Sequence, residues 1–159
     1  TKYIQNNSIR IKCIFIGNKE PDYQKMITEF KSEFIEIVDI DHLPRHQALR
    51  YLFGSDLLYM VLDEDRGEVI PAKTFEYLYS GKEILPVIPD GEVSLILKEF
   101  GFQSFTHSDL DGIKRKVEKC LNTFTDSKKT SIISNTALLQ KFERKNLTSQ
   151  LAKLFDQLN

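Results

Sequence analysis

The stretch Asp56–Ile88, DLLYMVLDEDRGEVIPAKTFEYLYSGKEILPVI, decides the fold. Asp56 to Leu62 is a continuous β-rich apolar run, the pattern of a buried strand. The acidic loop Asp63-Glu64-Asp65 follows it. Pro71 has no N–H and a φ already suited to a first helical turn, so it opens a helix, which Gly81 closes. Ile84 to Ile88 is the next apolar run. Pro86 inside it cannot donate to a ladder, which fits a short strand or one near an edge or bulge. Two strands joined through a helix of about three turns must pair in parallel.

The same alternation extends outward. Upstream, Ile9–Ile16 reads as a strand buried at its C-terminal end and stopped by Gly17. Pro21 opens an amphipathic helix striped by Tyr23, Met26, Ile27 and Phe30. Phe34–Ile40 is a strand, and Pro44 to Gly54 a helix carrying Ala48, Leu49, Leu52 and Phe53. Downstream come a helix over Gly91–Phe100, a short fifth strand over Phe102–Thr106, a helix over Asp109–Phe124 and a polar loop from Thr125 to Thr130. Asn135–Leu158 reads as a helical tail broken near Asn146. There Asn146 or Thr148 would cap a last helix carrying Leu151, Leu154, Phe155 and Leu158, expected to pack on the sheet or on a neighbouring chain. The pattern predicts one α/β domain over residues 1–159 with a doubly wound parallel sheet and a tail over 135–159. Such sheets bind ligands outside the carboxyl ends of their strands. Function is therefore expected at Gly17-Asn18-Lys19, Ile40-Asp41-His42, Asp63–Ala72 and Pro89-Asp90-Gly91.

Composition narrows the class. The 159 residues are 41% hydrophobic and 28% charged with a net charge of -1, an ordinary globular balance without general attraction to nucleic acid or anionic membrane. No apolar run approaches the ~20 residues that span a bilayer. The start, Thr1-Lys2-Tyr3, has neither Met nor a signal-peptide core, which suggests a processed chain or a fragment. Cys13 reads as a core residue and Cys120 as helical. Two cysteines make no disulfide framework, so a reducing, cytoplasmic setting is expected.

Glu68 and Glu76 bracket seven residues, VIPAKTF, with the first Glu before the Pro71 helix and the second in its second turn. Free first-turn amides and the positive helix end suit a diphosphate. A carboxylate one turn on can accept hydrogen bonds from a ribose diol, and one just before the helix can hold sugar hydroxyls. Each residue also has an ordinary reading. Glu76 reads equally as a solvated helix carboxylate or a partner for Lys73, Glu68 as a loop residue near Arg66, and Gly17 as a turn glycine. Asp63-Glu64-Asp65 reads as a solvated loop, because adjacent acids rarely converge on one ion. His42 and His46 lack the further ligands a metal needs, and His107 reads as a surface residue at a strand end. No metal site and no cofactor are expected.

The run GEVIPAKTFEYLYSGKEILPVIP resembles the donor-site segment of the group 1 (family 4) retaining glycosyltransferases, with Pro71, Lys73 and Glu76-Tyr77-Leu78 matching a variant of its motif. The likeness covers most of the chain. It implies the C-terminal, Rossmann-like donor domain of a two-domain GT-B enzyme, whose N-terminal acceptor domain is absent from this sequence. It implies transfer of a glycosyl group, as in a hexosyltransferase, from a nucleotide diphosphate-sugar with retention, and an isolated domain that does not catalyse transfer. The partners implied are that nucleotide-sugar and the N-terminal domain. Glu68 would be the catalytic residue, contacting the transferred sugar. Glu76 would bind the ribose, and Ile70, Pro71, Ala72 and Lys73 would line the sugar-phosphate pocket. Gly17 and Asn18 would let the backbone approach the ligand, and Ile40 and His42 fall where the family holds the base. Two departures stand out. Val69-Ile70 replaces the usual Gly-Phe-Gly, and the diphosphate-binding Arg and Lys of the family would precede Thr1.

Other classes compete. A receiver module wants paired acids after its first strand, and a flavodoxin-like one a Ser/Thr-rich phosphate loop there; Gly17-Asn18-Lys19 offers neither. A non-catalytic binding module, or a degenerate glycosyltransferase domain used for protein contacts, is the alternative that nucleotide titration separates.

Overall fold

The computed structural model describes residues 4, 9–125 and 136–157. The chain divides into two compact units, Thr1–Tyr51 and Leu52–Asn159, each taken by itself. In the first, β1 (Ile11–Ile16) and β2 (Ile35–Ile40) pair in parallel, Ile11 opposite Ile35 and Ile16 opposite Ile40. Between them runs α1 (Pro21–Glu29), with Pro21 in the first turn, where its missing N–H costs nothing. Alternation puts Cys13, Phe15, Ile37 and Asp39 on one face of the pair. Ile14, Ile16, Val38 and Ile40 lie on the other, with the Lys12–Glu36 ion pair at 3.0 Å. Both faces are mostly apolar, the pattern of strands meant to be covered on two sides.

No described side chain from Ile9 to Tyr51 is buried. The expected burial at the end of β1 therefore fails: Phe15 is exposed, and Ile16 and Cys13 are only partly covered. Two strands bring too few neighbours to close a core. The helix α2 (Arg45–Gly54) begins just after Pro44, whose carbonyl accepts from the N–H groups of Gln47 and Ala48.

The core lies in the second unit. There β3 (Leu57–Val61) and β4 (Glu83–Val87) pair in parallel through α3 (Ala72–Ser80), which starts after Pro71 and ends at Gly81. The helices α4 (Glu92–Glu99) and α5 (Leu110–Thr125) follow. Met60, Ile84 and Ile88 pack with Leu78 of α3 and with Val93, Ile96 and Leu97 of α4. Leu85 and Val87 point the other way, onto Phe105 and onto Ile113 and Val117 of α5. Glu83 opens β4 and pairs with Lys116 of α5, both well covered. Helices thus cover both faces of β4, which is α/β layering. Among the described residues the strands form two separate parallel pairs, β1–β2 and β3–β4.

Three expectations are corrected. The fifth strand shrinks to one parallel bridge, Val87 with Phe105, where the Phe105 N–H donates to the Pro86 carbonyl at 2.9 Å and the Ile88 N–H to the Phe105 carbonyl at 2.9 Å. The carbonyl of Pro86 faces this short side of β4, so its missing N–H falls where little ladder exists to lose it.

The tail breaks earlier than expected, at Phe142-Glu143, between α6 (Thr136–Lys141) and α7 (Arg144–Asp156). Phe142 turns in against Phe75, ring centroids 5.2 Å apart, beside the buried Leu139. Asn146 then lies in the first turn of α7, its amide donating back to the Gln140 carbonyl at 2.6 Å, and Thr148 is inside the helix.

Finally, Leu151, Leu154 and Phe155 do not pack on the sheet: they are 52%, 57% and 59% exposed. Leu158 and residues 126–135 lie outside the described residues.

Candidate functional site

The residues singled out by the sequence divide between the two units. In the first, the carboxyl ends of β1 and β2 meet through the Gly17 N–H, which donates to the Ile40 carbonyl at 3.0 Å. Gly17 has φ 116°, a conformation L side chains rarely adopt, and nothing lies within 4 Å of where a Cβ would stand. The turn is therefore strained for other residues and open on its outer side. Asn18 and His42 are exposed, Asn18 in that turn and His42 in the segment after β2.

A feature the sequence reading left without a partner is Lys19. Its ammonium donates to the Gly17 carbonyl at 2.7 Å and the Ile40 carbonyl at 3.3 Å, and pairs with Asp39. Asp39 also accepts from Gln24 of α1. The hydrogen bonds from Lys19 and Gln24 hold the Asp39 carboxyl below its ordinary range. No pattern rule pairs Lys19 with Asp39, because only the β1–β2 register brings them together. At the other, amino end of the same strands is an open cleft of about 310 Å³, lined by Arg10, Lys12, Ser32, Glu33, Phe34 and Glu36 among others. Its mixed charges include the Lys12–Glu36 pair, and it contains none of the sequence-predicted residues.

In the second unit the loop after β3 turns through a short 3-10 segment, Glu64–Arg66, where Asp63 and Arg66 pair at 3.3 Å on the surface. Glu68 follows in an exposed turn, then Val69 and Ile70, also exposed. Gly67 touches the loop after β4. A Cβ there would lie 2.5 Å from the Asp90 carbonyl oxygen, and one on Gly91 would lie 2.1 Å from that of Gly67. The Glu92 N–H, first in α4, donates to the Gly67 carbonyl at 3.0 Å. Only glycines allow these two loops to touch, and their contact fixes the start of the 68–71 segment.

Pro71 precedes α3, and the Thr74 N–H already bonds its carbonyl at 3.0 Å, so Ala72 and Lys73 supply the first-turn donors, both on exposed residues. Glu76 is half-buried in the second turn. Its charge, after burial, pushes the Tyr77 phenol up, and the Tyr77 hydroxyl donates to the Tyr59 carbonyl of β3 at 3.4 Å. Thr74 is completely buried, and its hydroxyl has no hydrogen-bond partner among the described residues. Pattern reading passed over it, because a Thr inside an apolar helix stripe gives no signal.

His107 departs from its surface assignment: it is half-buried, and Nε2 meets the Leu62 carbonyl at 2.8 Å, tying the chain after the Phe105 bridge to the end of β3. Burial pushes the Cys13 and Cys120 thiols up, the direction opposite to the lowering that activates a cysteine nucleophile. Among the described residues no group of three or more His, Cys, Asp or Glu side chains is placed to hold a metal ion, and no helix is long and apolar enough to cross a membrane.

Chemically, the second unit presents a Pro-opened helix start whose Ala72 and Lys73 amides have no partner among the described residues, a half-buried carboxylate one turn in and an exposed carboxylate just before it. All of these follow the carboxyl end of a parallel strand. Comparison with family models, with curated proteins and with solved structures finds no match to this chain.

Proposed function

We propose that the chain is the donor-binding half of a retaining, two-domain glycosyltransferase, a doubly wound Rossmann-like domain that binds a nucleotide diphosphate-sugar. The observation that carries this reading is the disposition of the two glutamates about α3: Glu76 half-buried in its second turn, Glu68 exposed in the turn before Pro71. The first-turn amides between them face a diphosphate, Glu76 accepts the ribose hydroxyls and Glu68 contacts the sugar. The likeness of GEVIPAKTFEYLYSG to the donor segment of group 1 enzymes supports the same roles. In this reading the protein supplies preorganised dipoles for the leaving diphosphate, and the acceptor comes from a second domain.

Calorimetry with UDP, GDP and ADP, and with the sugar conjugate of the one that binds, tests it. Glu76→Gln keeps the shape but weakens charge-assisted hydrogen bonds, each worth roughly 1.5–3 kcal/mol. Affinity for the diphosphate should fall about tenfold or more. Glu68→Gln should leave the bare diphosphate unaffected and weaken only the conjugate. Wild-type affinity in the Glu76→Gln variant would remove the ribose assignment. A non-catalytic domain used for protein contacts is the second reading, favoured by the exposed apolar residues of α7, and binding of none of the three nucleotides would support it.

A further inference from the structure

Every residue of α7 except Asn146 is exposed, Leu147, Leu151, Leu154 and Phe155 included. The helix is held at its first turn. There Phe142 turns in against Phe75, the Tyr79 hydroxyl donates to the Glu143 carboxylate at 3.3 Å, and the Asn146 amide reaches back to the Gln140 carbonyl. The rest of its length is bare. Its leucines are not scattered. Leu147, Leu151, Leu154 and, in sequence, Leu158 follow at intervals of four, three and four residues. That is the narrow seam of a coiled coil, not the broader stripe of a helix lying on a sheet. The spacing reads the same from either end. The seam is therefore complementary to itself about a two-fold axis between Ala152 and Lys153, the isologous form of symmetric dimers.

The charges select the direction. Arg144 stands seven residues before Leu151, in line with the seam, at the positive end of its own helix, where a cation is unfavourable. Parallel copies would set Arg144 against Arg144. Antiparallel copies set it against the C-terminal end of the second helix, whose carbonyls and dipole attract a cation. A helix that lies on an anionic bilayer has a polar face rich in Lys and Arg. The polar face of α7 instead mixes Lys145 and Lys153 with Ser149 and Asp156, while Arg144 falls on the apolar line. We propose that α7 pairs antiparallel with α7 of a second copy of this chain, Leu151 of each against Leu154 of the other. This pairing is independent of the nucleotide reading. The seam is short, so pairing requires concentrated protein, and in the dilute chain α7 stays bare.

Sedimentation of the full chain from about 1 μM to about 1 mM tests it, with wild type, Leu154→Asp, Leu154→Ala and Arg144→Glu. Wild type should pass from monomer to dimer. Its α7 amides should be unprotected in the dilute chain and slower to exchange in the concentrated one. Leu154→Asp should stay monomeric throughout. Leu154→Ala keeps a strong helix former at an exposed position, so it remains informative where the aspartate unwinds the helix, and it should weaken the dimer at least about tenfold. Arg144→Glu should weaken it about fivefold, and its mixture with wild type should fall between the two. A mixture that associates more tightly than either parent would mean parallel copies and overturn the antiparallel pairing. A wild type that is monomeric at every concentration, or a dimer that Leu154→Ala and Leu154→Asp both leave untouched, would overturn the proposal. So would α7 amides already slow in the dilute monomer, which would place the cover within the chain. Flotation of wild type but not Leu154→Asp with phosphatidylserine vesicles, without a dimer in solution, would make a lipid surface the occupant instead.

Discussion

At Thr74 a buried hydroxyl has no hydrogen-bond partner among the described residues, on the first turn of the helix that carries the proposed site. An unsatisfied buried polar group costs roughly 1–3 kcal/mol. Nothing in the core explains keeping it, since the neighbouring stripe residue Leu78 is purely apolar. Thr74→Val keeps the branched shape and removes the orphan group. Denaturant unfolding should therefore show the variant about 1 kcal/mol more stable than wild type, with an unchanged m-value. A destabilised variant would mean that the hydroxyl is satisfied by a group outside the described residues. Glu76 carries the opposite expectation: it is half-buried, and its substitution should cost ligand affinity. The two positions separate stability from function within one helix. Glu68, Pro71 and Glu76 were legible as a spacing about a Pro-opened helix. Thr74, Lys19 and His107 were not, because each owes its environment to a residue distant in sequence or to the packing around it.

Among the elements, strands and helices followed their punctuation closely, because Pro21, Pro44, Pro71 and Gly81 act locally through φ and a missing donor. The errors lie where tertiary contacts decide. Phe142 turning into the core ends α6, and no local signal at Asn146 outweighs that packing. Phe102–Thr106 has strand composition, yet only Phe105 finds a ladder partner. The last helix is the clearest case, since its apolar stripe was legible and its lack of cover was not. With Leu147, Leu151, Leu154 and Phe155 all exposed, α7 stands on little more than its own hydrogen bonds and its junction with α6. A helix of 13 residues is marginal alone in water. Its amides should exchange close to the unprotected rate while those of α5 are slow, and Leu151→Asp should leave unfolding free energy within about 0.5 kcal/mol of wild type. A Leu151→Asp variant destabilised by about 2 kcal/mol or more would show that the helix is covered in solution.

Across the whole chain, burial is unevenly shared. Ile84, Ile88, Val93 and Leu97 are fully enclosed in the second unit, whereas no described side chain from Ile9 to Tyr51 reaches that state. The two strand pairs have similar parallel registers and similar apolar sequences, so hydrogen bonding within the ladders does not distinguish them. Enclosure does. Local opening free energy follows the apolar surface an opening must expose, at roughly 25 cal/mol per Å², and β4 has packed helices on both faces while β1 and β2 keep theirs partly wet. Native-state hydrogen exchange should therefore rank the chain. Amides of β4, together with Ile88 and Phe105 across the bridge, should be slowest and exchange through global unfolding. Those of β1 and β2 should open sub-globally, at least about tenfold faster. The Gly17 amide, held by Ile40 and backed by Lys19, should be the slowest at the carboxyl end of the first pair. Equal protection of Ile37 and Ile84 would contradict this gradient, because it would require cover over β1 and β2 that their side-chain exposures do not show.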